Sequence, residues 1–233
     1  MIYIKIVFKY IWKLIVYFQI LFIKHNNVYK NNQLRIFYGG GFPGNKGGPR
    51  VKIKRLQLYF KNYNVNFNLL YLLSNSHYLL EKSFYKIKSK NIPIVLNQNG
   101  VYYSGWYSGN WKKMNKDMSI AYHNSDYVFW QSQFCKKSAD KFLGLRKGKG
   151  EILYNAVDTN IFFPLKNKSA ESILKLLLTG RITVQNLYRI ENVIKSAILL
   201  QRENLNFKID FYGLIDNKNY KKIEKLIDNL NLR

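Results

Sequence analysis

From Gln33 onward, short apolar runs alternate with longer amphipathic stretches, and this alternation constrains the fold of the 233-residue chain more than any other feature. Short apolar runs are typical of strands buried on both faces, and amphipathic stretches between them are typical of crossover helices. The pattern therefore predicts an α/β fold with parallel sheets. Strands are expected at residues 33–38, 67–73, 92–97, 127–131 and 152–154, and helices at 48–63, 75–90, 110–123 and 132–143.

A polar connector without clear periodicity interrupts the alternation at residues 158–169, which include Pro164. We place a domain boundary near residue 168. Beyond it, strands are expected at 173–179 and 207–212, and helices within 188–202 and at 218–230. Two strands are too few for a complete doubly wound sheet. The chain is therefore divided into an N-terminal segment (1–30), a first domain (31–168) and the incomplete start of a second domain (169–233).

The N-terminal segment is apolar and aromatic, but Lys5, Lys9 and Lys13 recur every four residues. That spacing predicts a basic amphipathic helix. Gln19 divides the apolar run, which stays shorter than the ~20 apolar residues that a spanning helix requires. No cleavage site of a secretory signal precedes Asn26. We expect the helix to lie on a membrane surface. The alternative is a helix that packs against the following domain.

The charge of the chain is strongly positive and unevenly distributed. The formal net charge is +25, from 38 basic and 13 acidic residues, and no acidic residue precedes Glu81. A positive field attracts anions, such as an anionic membrane surface or phosphate-bearing substrates. A lysine-rich and asparagine-rich composition without functional meaning is an equal alternative. No helix-turn-helix, zinc-finger or RNA-recognition pattern is present, so we expect no nucleic-acid partner.

Cysteine and histidine residues are few. The single cysteine, Cys135, excludes an intrachain disulfide and is expected to be a packed thiol in a helix. The histidines His25, His77 and His123 do not have the spacing of metal ligands, so no metal site is predicted.

A glycine-rich loop at residues 39–48 follows the first predicted strand and precedes a helix. Glycines allow positive φ and a close approach of backbone to ligand, and the first N–H groups of a helix attract anions. We take Gly40, Gly41, Gly47 and Gly48 as candidates for a loop that contacts an acceptor or a diphosphate. The loop is neither a phosphate-binding loop closed by Gly-Lys-Ser/Thr nor a dinucleotide fingerprint. A flexible turn is the alternative.

The strand predicted at 92–97 ends in a second polar group, Asn97-Gln98-Asn99-Gly100. Ligands of open α/β sheets bind beyond the carboxyl ends of the strands. Amide side chains both donate and accept hydrogen bonds, which suits hydroxyl-rich ligands. Asn97, Asn99 and Gly100 are therefore candidate pocket residues.

The third group of motifs resembles a known family. The run Asn155-Ala156-Val157-Asp158, followed by Phe162-Phe163-Pro164, is similar to the end of the first domain in family-4 retaining glycosyltransferases of the GT-B type. In that family a strand ends in Asn-Gly-Val-Asp, and Phe-x-Pro leads into the second domain. The second domain then opens with an apolar strand ending in Gly-Arg, and Leu178-Thr179-Gly180-Arg181 is similar.

The resemblance implies two Rossmann-like domains, with the acceptor mostly on the first and a nucleotide-sugar donor mostly on the second. It implies a retaining transfer to a glycan, polysaccharide or lipid-linked acceptor, without cofactor or metal. The basic amphipathic N-terminal helix favours a membrane-borne acceptor, and we expect a peripheral location at the cytoplasmic face of a membrane. By resemblance, Arg181 neutralises the donor diphosphate, and Gly180 and Gly213 at the ends of their strands make room for the nucleotide. The glycine loop closes the floor of the cleft between the domains. The catalytic residue is not assigned.

Three departures from the family pattern support an alternative. Gln185 and Asn186 stand where many relatives carry a lysine, and Asn99 stands where many carry a histidine before glycine. The paired glutamates of the family would fall beyond residue 233. The alternative is a non-catalytic, membrane-associated carbohydrate-binding or scaffold protein with the same fold.

Overall fold

The computed structural model describes residues 2–25, 33–164, 173–183, 187–215 and 217–229. These residues form seven strands and seven helices, and every paired strand is parallel to its neighbour, so the predicted α/β class is confirmed. Two compact units are present. The first contains Met1–Tyr103 and Asn110–Ala156, and the second contains Ser104–Gly109 and Val157–Arg233. The boundary predicted near residue 168 lies outside the described residues.

The first unit contains a five-stranded sheet with the order β1-β2-β3-β4-β5. Its strands are β1 (Ile36–Phe37), β2 (Leu69–Leu73), β3 (Ile94–Gln98), β4 (Tyr127–Trp130) and β5 (Lys149–Ile152). Its helices are α1 (Ile2–Leu21), α2 (Gly48–Leu56), α3 (Glu81–Lys88), α4 (Trp111–Asn124) and α5 (Gln133–Leu143).

The two faces of this sheet are covered by different helices. Alternate strand residues such as Leu70, Leu96 and Val128 are buried in one core with residues of α1, α3, α4 and α5. The residues between them face the other side, where Ile53 of α2 packs on Ile36, Tyr38 and Leu73. Helix α2 covers that side only in part. An apolar cavity of about 360 Å³ remains there, lined by Leu34, Ile36, Tyr38, Leu56, Phe60, Leu69, Tyr71, Val95 and Phe129.

The segment that follows α2 lies along the outer edge of β1. Successive carbonyl groups of a strand point to opposite edges. The Arg35 carbonyl accepts from Leu69 N at 3.2 Å on the β2 side, whereas the Ile36 carbonyl accepts from Tyr63 N at 2.8 Å on the other side. A parallel bridge between Ile36 and Asn62 marks the same contact. The chain therefore passes along the outer edge of β1 before it crosses to β2.

Several element boundaries differ from the predicted ones, and three of the differences affect the candidate site. Helix α2 ends at Leu56 rather than near residue 63, because the chain leaves it to reach the outer edge of β1. Helix α3 begins at Glu81 because a turn, closed by Ser76 N donating to the Leu73 carbonyl, follows β2. Strand β5 ends at Ile152, so Asn155 lies in the loop that follows it.

The predicted N-terminal helix is present as α1, and one side of it packs on the sheet domain. Val16, Ile20 and Ile23 are buried in the same core as β2 and β3. This is the packing that the alternative interpretation of the segment required. Among the described residues, we find no helix whose length and apolar character would let it traverse a bilayer.

The second unit has its own small sheet and core. Strands β6 (Leu174–Ile182) and β7 (Phe207–Ile215) pair in parallel over nine residues each. Helices α6 (Tyr188–Arg202) and α7 (Asn217–Asn229) follow them. Its core is formed by Ile182, Leu187, Ile190, Ile194 and Ile223. Leu177 and Tyr212 are exposed, so the helices cover one face of this sheet.

Candidate functional site

The glycine loop follows the carboxyl end of β1, and its first glycines have no room for a side chain. Gly39 and Gly40 have φ of +60° and +74°, a conformation that side chains disfavour. A Cβ on Gly40 would lie 2.6 Å from Val16 Cγ2 of α1, and one on Gly41 would lie 2.8 Å from Ile53 Cδ1 of α2. The loop therefore fits between α1 and α2 only because these residues are glycines.

The second half of the loop forms the start of α2 and is open. Gly47, with φ of +84°, is the residue that precedes the helix, and its carbonyl accepts from Val51 N at 3.1 Å. Gly47 and Gly48 have open space where a Cβ would be. The first N–H groups of a helix have no partner within the helix, and their positive partial charge favours an anion.

Lys52 of α2 connects two motifs that are far apart in the sequence. Its ammonium donates to Asn97 Oδ1 at 3.2 Å and to Asn155 Oδ1 at 2.9 Å. Asn97 lies at the carboxyl end of β3, and Asn155 opens the Asn-Ala-Val-Asp motif. The carboxyl ends of parallel strands meet at one edge of the sheet, so these residues converge there. We call Lys52, Asn97 and Asn155 the lysine cluster.

The surroundings of the lysine cluster decide its chemistry. Asn97 is 1% exposed, and its carbonyl accepts from Ser74 N at 2.9 Å. Burial lowers the pKa of Lys52. Burial also raises the pKa of Tyr71, and the hydrogen bond between the Tyr71 hydroxyl and Asn97 partly offsets that rise. An ammonium has three N–H donors, and two are used on amide oxygens. The third is suited to an anionic oxygen or a hydroxyl of a ligand.

A second polar group lies beside the lysine cluster at the end of β3. Asn99 Oδ1 accepts from Gln131 Nε2 at 2.6 Å, and Gln98 Nε2 donates to the Gly100 carbonyl at 2.8 Å. Gln98 Oε1 is buried and has no hydrogen-bond partner among the described residues. Gly100 itself is exposed. The predicted pocket residues are therefore divided, with Asn97 bonded to Lys52 and Asn99 bonded to Gln131.

Cys135 belongs to the scaffold of this group. Its thiol donates to the Gln98 carbonyl at 3.1 Å, and its own N–H donates to Ser132 Oγ at 3.0 Å. Burial raises the pKa of the Cys135 thiol. The prediction of a packed thiol is confirmed, and Ser132 caps α5.

Lys52 and Gln131 are not among the site residues predicted from the sequence. Lys52 lies four residues after Gly48, one helical turn along α2, so helix spacing alone places it on the face that follows the loop. That spacing is the signal that could have identified it. For Gln131 the sequence offers no comparable signal, because its partner Asn99 is in another loop.

In the second unit, Gly180 and Gly213 are direct neighbours across β6 and β7. Their φ values are +152° and +151°, and a Cβ on Gly213 would overlap the Gly180 carbonyl. The prediction that they end their strands is wrong, because the strands continue to Ile182 and Ile215. The backbone of Arg181 pairs with Leu214. The Arg181 side chain, and Gln185 and Asn186, lie outside the described residues.

Comparisons with known proteins return matches only among solved structures. No protein-family model matches the chain, and no curated protein matches it. One similar structure is Anabaena Alr3699/HepE in complex with UDP, with a TM-score of 0.47 and 12% sequence identity over 78% of this chain and 48% of that one. Another is a mutant of S. aureus TarM in complex with fondaparinux, alpha-GlcNAc-glycerol and UDP, with a TM-score of 0.43 and 18% identity over 70% of this chain and 31% of that one. The chain spans about half or less of the length of these structures.

Proposed function

We propose that the chain is part of a GT-B glycosyltransferase that moves a sugar from a nucleotide-diphosphate donor to a hydroxyl of a lipid-linked or polysaccharide acceptor. The lysine cluster carries this proposal. The end of β3 and the Asn-Ala-Val-Asp motif were singled out separately in the sequence, and Lys52, on the helix that follows the glycine loop, joins the two within 3.2 Å. A cation held by neutral amides at the carboxyl edge of a parallel sheet suits an oxygen-rich, anionic ligand.

The proposal assigns the acceptor to the first unit and the donor to the second. In the first unit, the glycine loop brings backbone N–H groups close to the substrate, and Lys52 donates to a phosphate or hydroxyl oxygen. In the second unit, Gly180 and Gly213 leave backbone open to a nucleotide, and Arg181 neutralises the diphosphate as the leaving group develops charge. The retaining course and the independence from metal rest on the resemblance of the motifs.

Equilibrium binding of nucleoside diphosphates, measured by calorimetry on the whole chain, tests the donor assignment. We expect Arg181→Ala to weaken binding of the preferred nucleotide roughly 10- to 100-fold, because an arginine–phosphate contact contributes about 1.5–3 kcal/mol. Arg202→Ala, which removes an arginine of the same unit, is the matched control and should leave binding unchanged. Equal affinity of wild type and Arg181→Ala would remove the role assigned to that guanidinium.

Transfer of labelled sugar to a lipid extract tests the role of the lysine cluster. We expect Lys52→Met to lower kcat/KM at least about tenfold while nucleotide affinity is unchanged, because Lys52 belongs to the acceptor side. Lys88→Met, which replaces an exposed lysine of α3, is the control and should leave kcat/KM unchanged. Chelation of divalent cations should not change the rate of transfer by the wild type. A chain that binds glycans but neither binds nucleotides nor transfers sugar would instead be a carbohydrate-binding scaffold.

A further inference from the structure

Helix α1 has two apolar faces, and only one of them is covered. The inner face, which packs on the sheet domain, consists of Trp12, Val16, Ile20 and Ile23. The outer face consists of Ile4, Val7, Phe8, Ile11, Ile15 and Phe18 together with Phe22, which directly follows the helix, each between 41% and 79% exposed. The spacing of the outer residues by three and four places them along one line of the helix. Packing on the domain therefore does not remove the outer face from water.

The outer face is continuous enough to be a binding surface. Four of its residues, Ile4, Val7, Phe8 and Ile11, line a shallow groove of about 240 Å³. Soluble proteins rarely expose a contiguous row of large apolar side chains without a partner. Lys9 and Lys13 lie on the opposite side of the helix from this row, which is the side that packs on the domain, so they do not interrupt the row.

The charge of the surrounding chain favours a bilayer over a second copy of the protein. No acidic residue precedes Glu81, and the whole chain carries a formal charge of +25. Two copies joined through α1 would bring two strongly positive surfaces together. Anionic headgroups would neutralise the same charge, and the hydrocarbon below them would take up the aromatic and aliphatic side chains.

We infer that the outer face of α1 binds the surface of an anionic bilayer, with the helix axis in the plane of the membrane. Phe8, Phe18 and Phe22 enter the boundary between headgroups and acyl chains. The inner face holds the domain on the water side. Helix α1 is thus a docking element that is part of the folded domain rather than a separate tether.

The same helix contacts the candidate site directly. Trp12 Nε1 donates to the Gly40 carbonyl at 3.0 Å, and the Trp12 ring lies 5.0 Å from the Phe42 ring. A helix with its side chains is about 10 Å across, so the glycine loop lies roughly that distance from the membrane surface. This step rests on the proposed function, because it places the acceptor loop beside lipid-borne acceptors.

Co-sedimentation of the full chain with vesicles tests the inference. The vesicles contain phosphatidylcholine with or without about one third phosphatidylglycerol. We expect the wild type to bind the anionic vesicles and the Phe8→Gln/Phe18→Gln/Phe22→Gln variant to bind them about 10- to 100-fold more weakly. The matched control replaces three equally exposed apolar residues elsewhere on the first unit, Leu58→Gln/Tyr59→Gln/Phe134→Gln, and should bind like the wild type. Circular dichroism checks that each variant is folded.

Two results would overturn the inference. One is equal binding of the outer-face variant and the control variant to anionic vesicles. The other is a lipid-free dimer that the outer-face variant dissociates, in a chain that does not bind vesicles, since the occupant would then be a second copy. Nucleotide affinity is measured on the same samples. If the wild type binds nucleotide but not vesicles, the inference about α1 is wrong and the proposed function stands. If it binds vesicles but not nucleotide, the proposed function is wrong and the inference about α1 stands.

Discussion

At the scale of single residues, the candidate site depends on where the glycines of the loop have space and where they do not. Gly40 has positive φ and lies against Val16 of α1, so both the backbone conformation and the contact with Val16 exclude a side chain there. Gly48, the first residue of α2, has open space around it. Two glycines of one loop therefore have different reasons to be glycine, and only the first is required by packing.

Replacement of these two glycines by alanine separates the two reasons. We expect Gly40→Ala to lower the free energy of unfolding by roughly 1–3 kcal/mol, from backbone strain and overlap with Val16. Gly48→Ala should be neutral or raise it by up to about 1 kcal/mol, since alanine favours the helix. Chemical denaturation measures both. Similar losses in the two variants would contradict the contact of α1 with the loop.

The role proposed for Lys52 depends on its position in the fold and not on its residue type alone. Thirty-eight basic residues are spread over the chain, and most are exposed side chains with no assigned role. Lys52 differs because it is partly buried and bonded to two asparagines from distant segments. The count of lysines indicates an anionic partner in general terms, whereas the contacts of Lys52 indicate one point of attachment.

At the scale of elements, α1 changes the electrostatics of the loop that follows β2. His77 lies in that loop, beside Gly39 and edge-on to Phe84 at 5.9 Å. Burial lowers the pKa of His77 to about 3, with further lowering by the positive charges of Lys13 and Lys9 on α1. The packing of a basic helix therefore favours a neutral imidazole at this position.

This depressed pKa predicts a pH dependence of stability. In the unfolded chain His77 takes up a proton near pH 6.5, whereas in the folded chain it does not until about pH 3. The unfolded state binds more protons between these values, so the free energy of unfolding falls as the pH is lowered from 7 to 5, by at most about 1.4 kcal/mol per unit from this group. In His77→Gln the fall should be smaller. An identical slope in both proteins, measured by denaturation in urea, would contradict the buried neutral state.

At the scale of the whole molecule, the described residues form two units with separate sheets and separate cores. The second unit has two strands and a core of five buried residues, so its stability margin is small. The five-stranded unit buries a much larger apolar cluster. We therefore expect the two units to respond separately to mutation.

A buried residue of the second unit provides the test. Ile190 is 0% exposed, and Ile190→Ala should destabilise its unit by roughly 2–4 kcal/mol. Hydrogen exchange should accelerate in β6 and α6 and remain unchanged in β2 and β3. Leu199→Ala, at a 60% exposed position of the same helix, is the control and should change neither. Equal acceleration in β3 would show one cooperative unit.

The sequence by itself determined the type and order of the elements, because hydrophobic periodicity reports local burial on one or both faces. It also placed the glycine loop and the asparagine motifs at strand ends, since Gly and Asn mark turns. Tertiary structure decided how these segments meet. The chain returns along the outer edge of β1, where Asn62 meets Ile36. Lys52 bonds Asn97 and Asn155, whereas Asn99 bonds Gln131. Each of these contacts joins residues far apart in sequence. Local patterns contain no record of such partners, because strand order and helix packing are settled only when the whole sheet buries its faces.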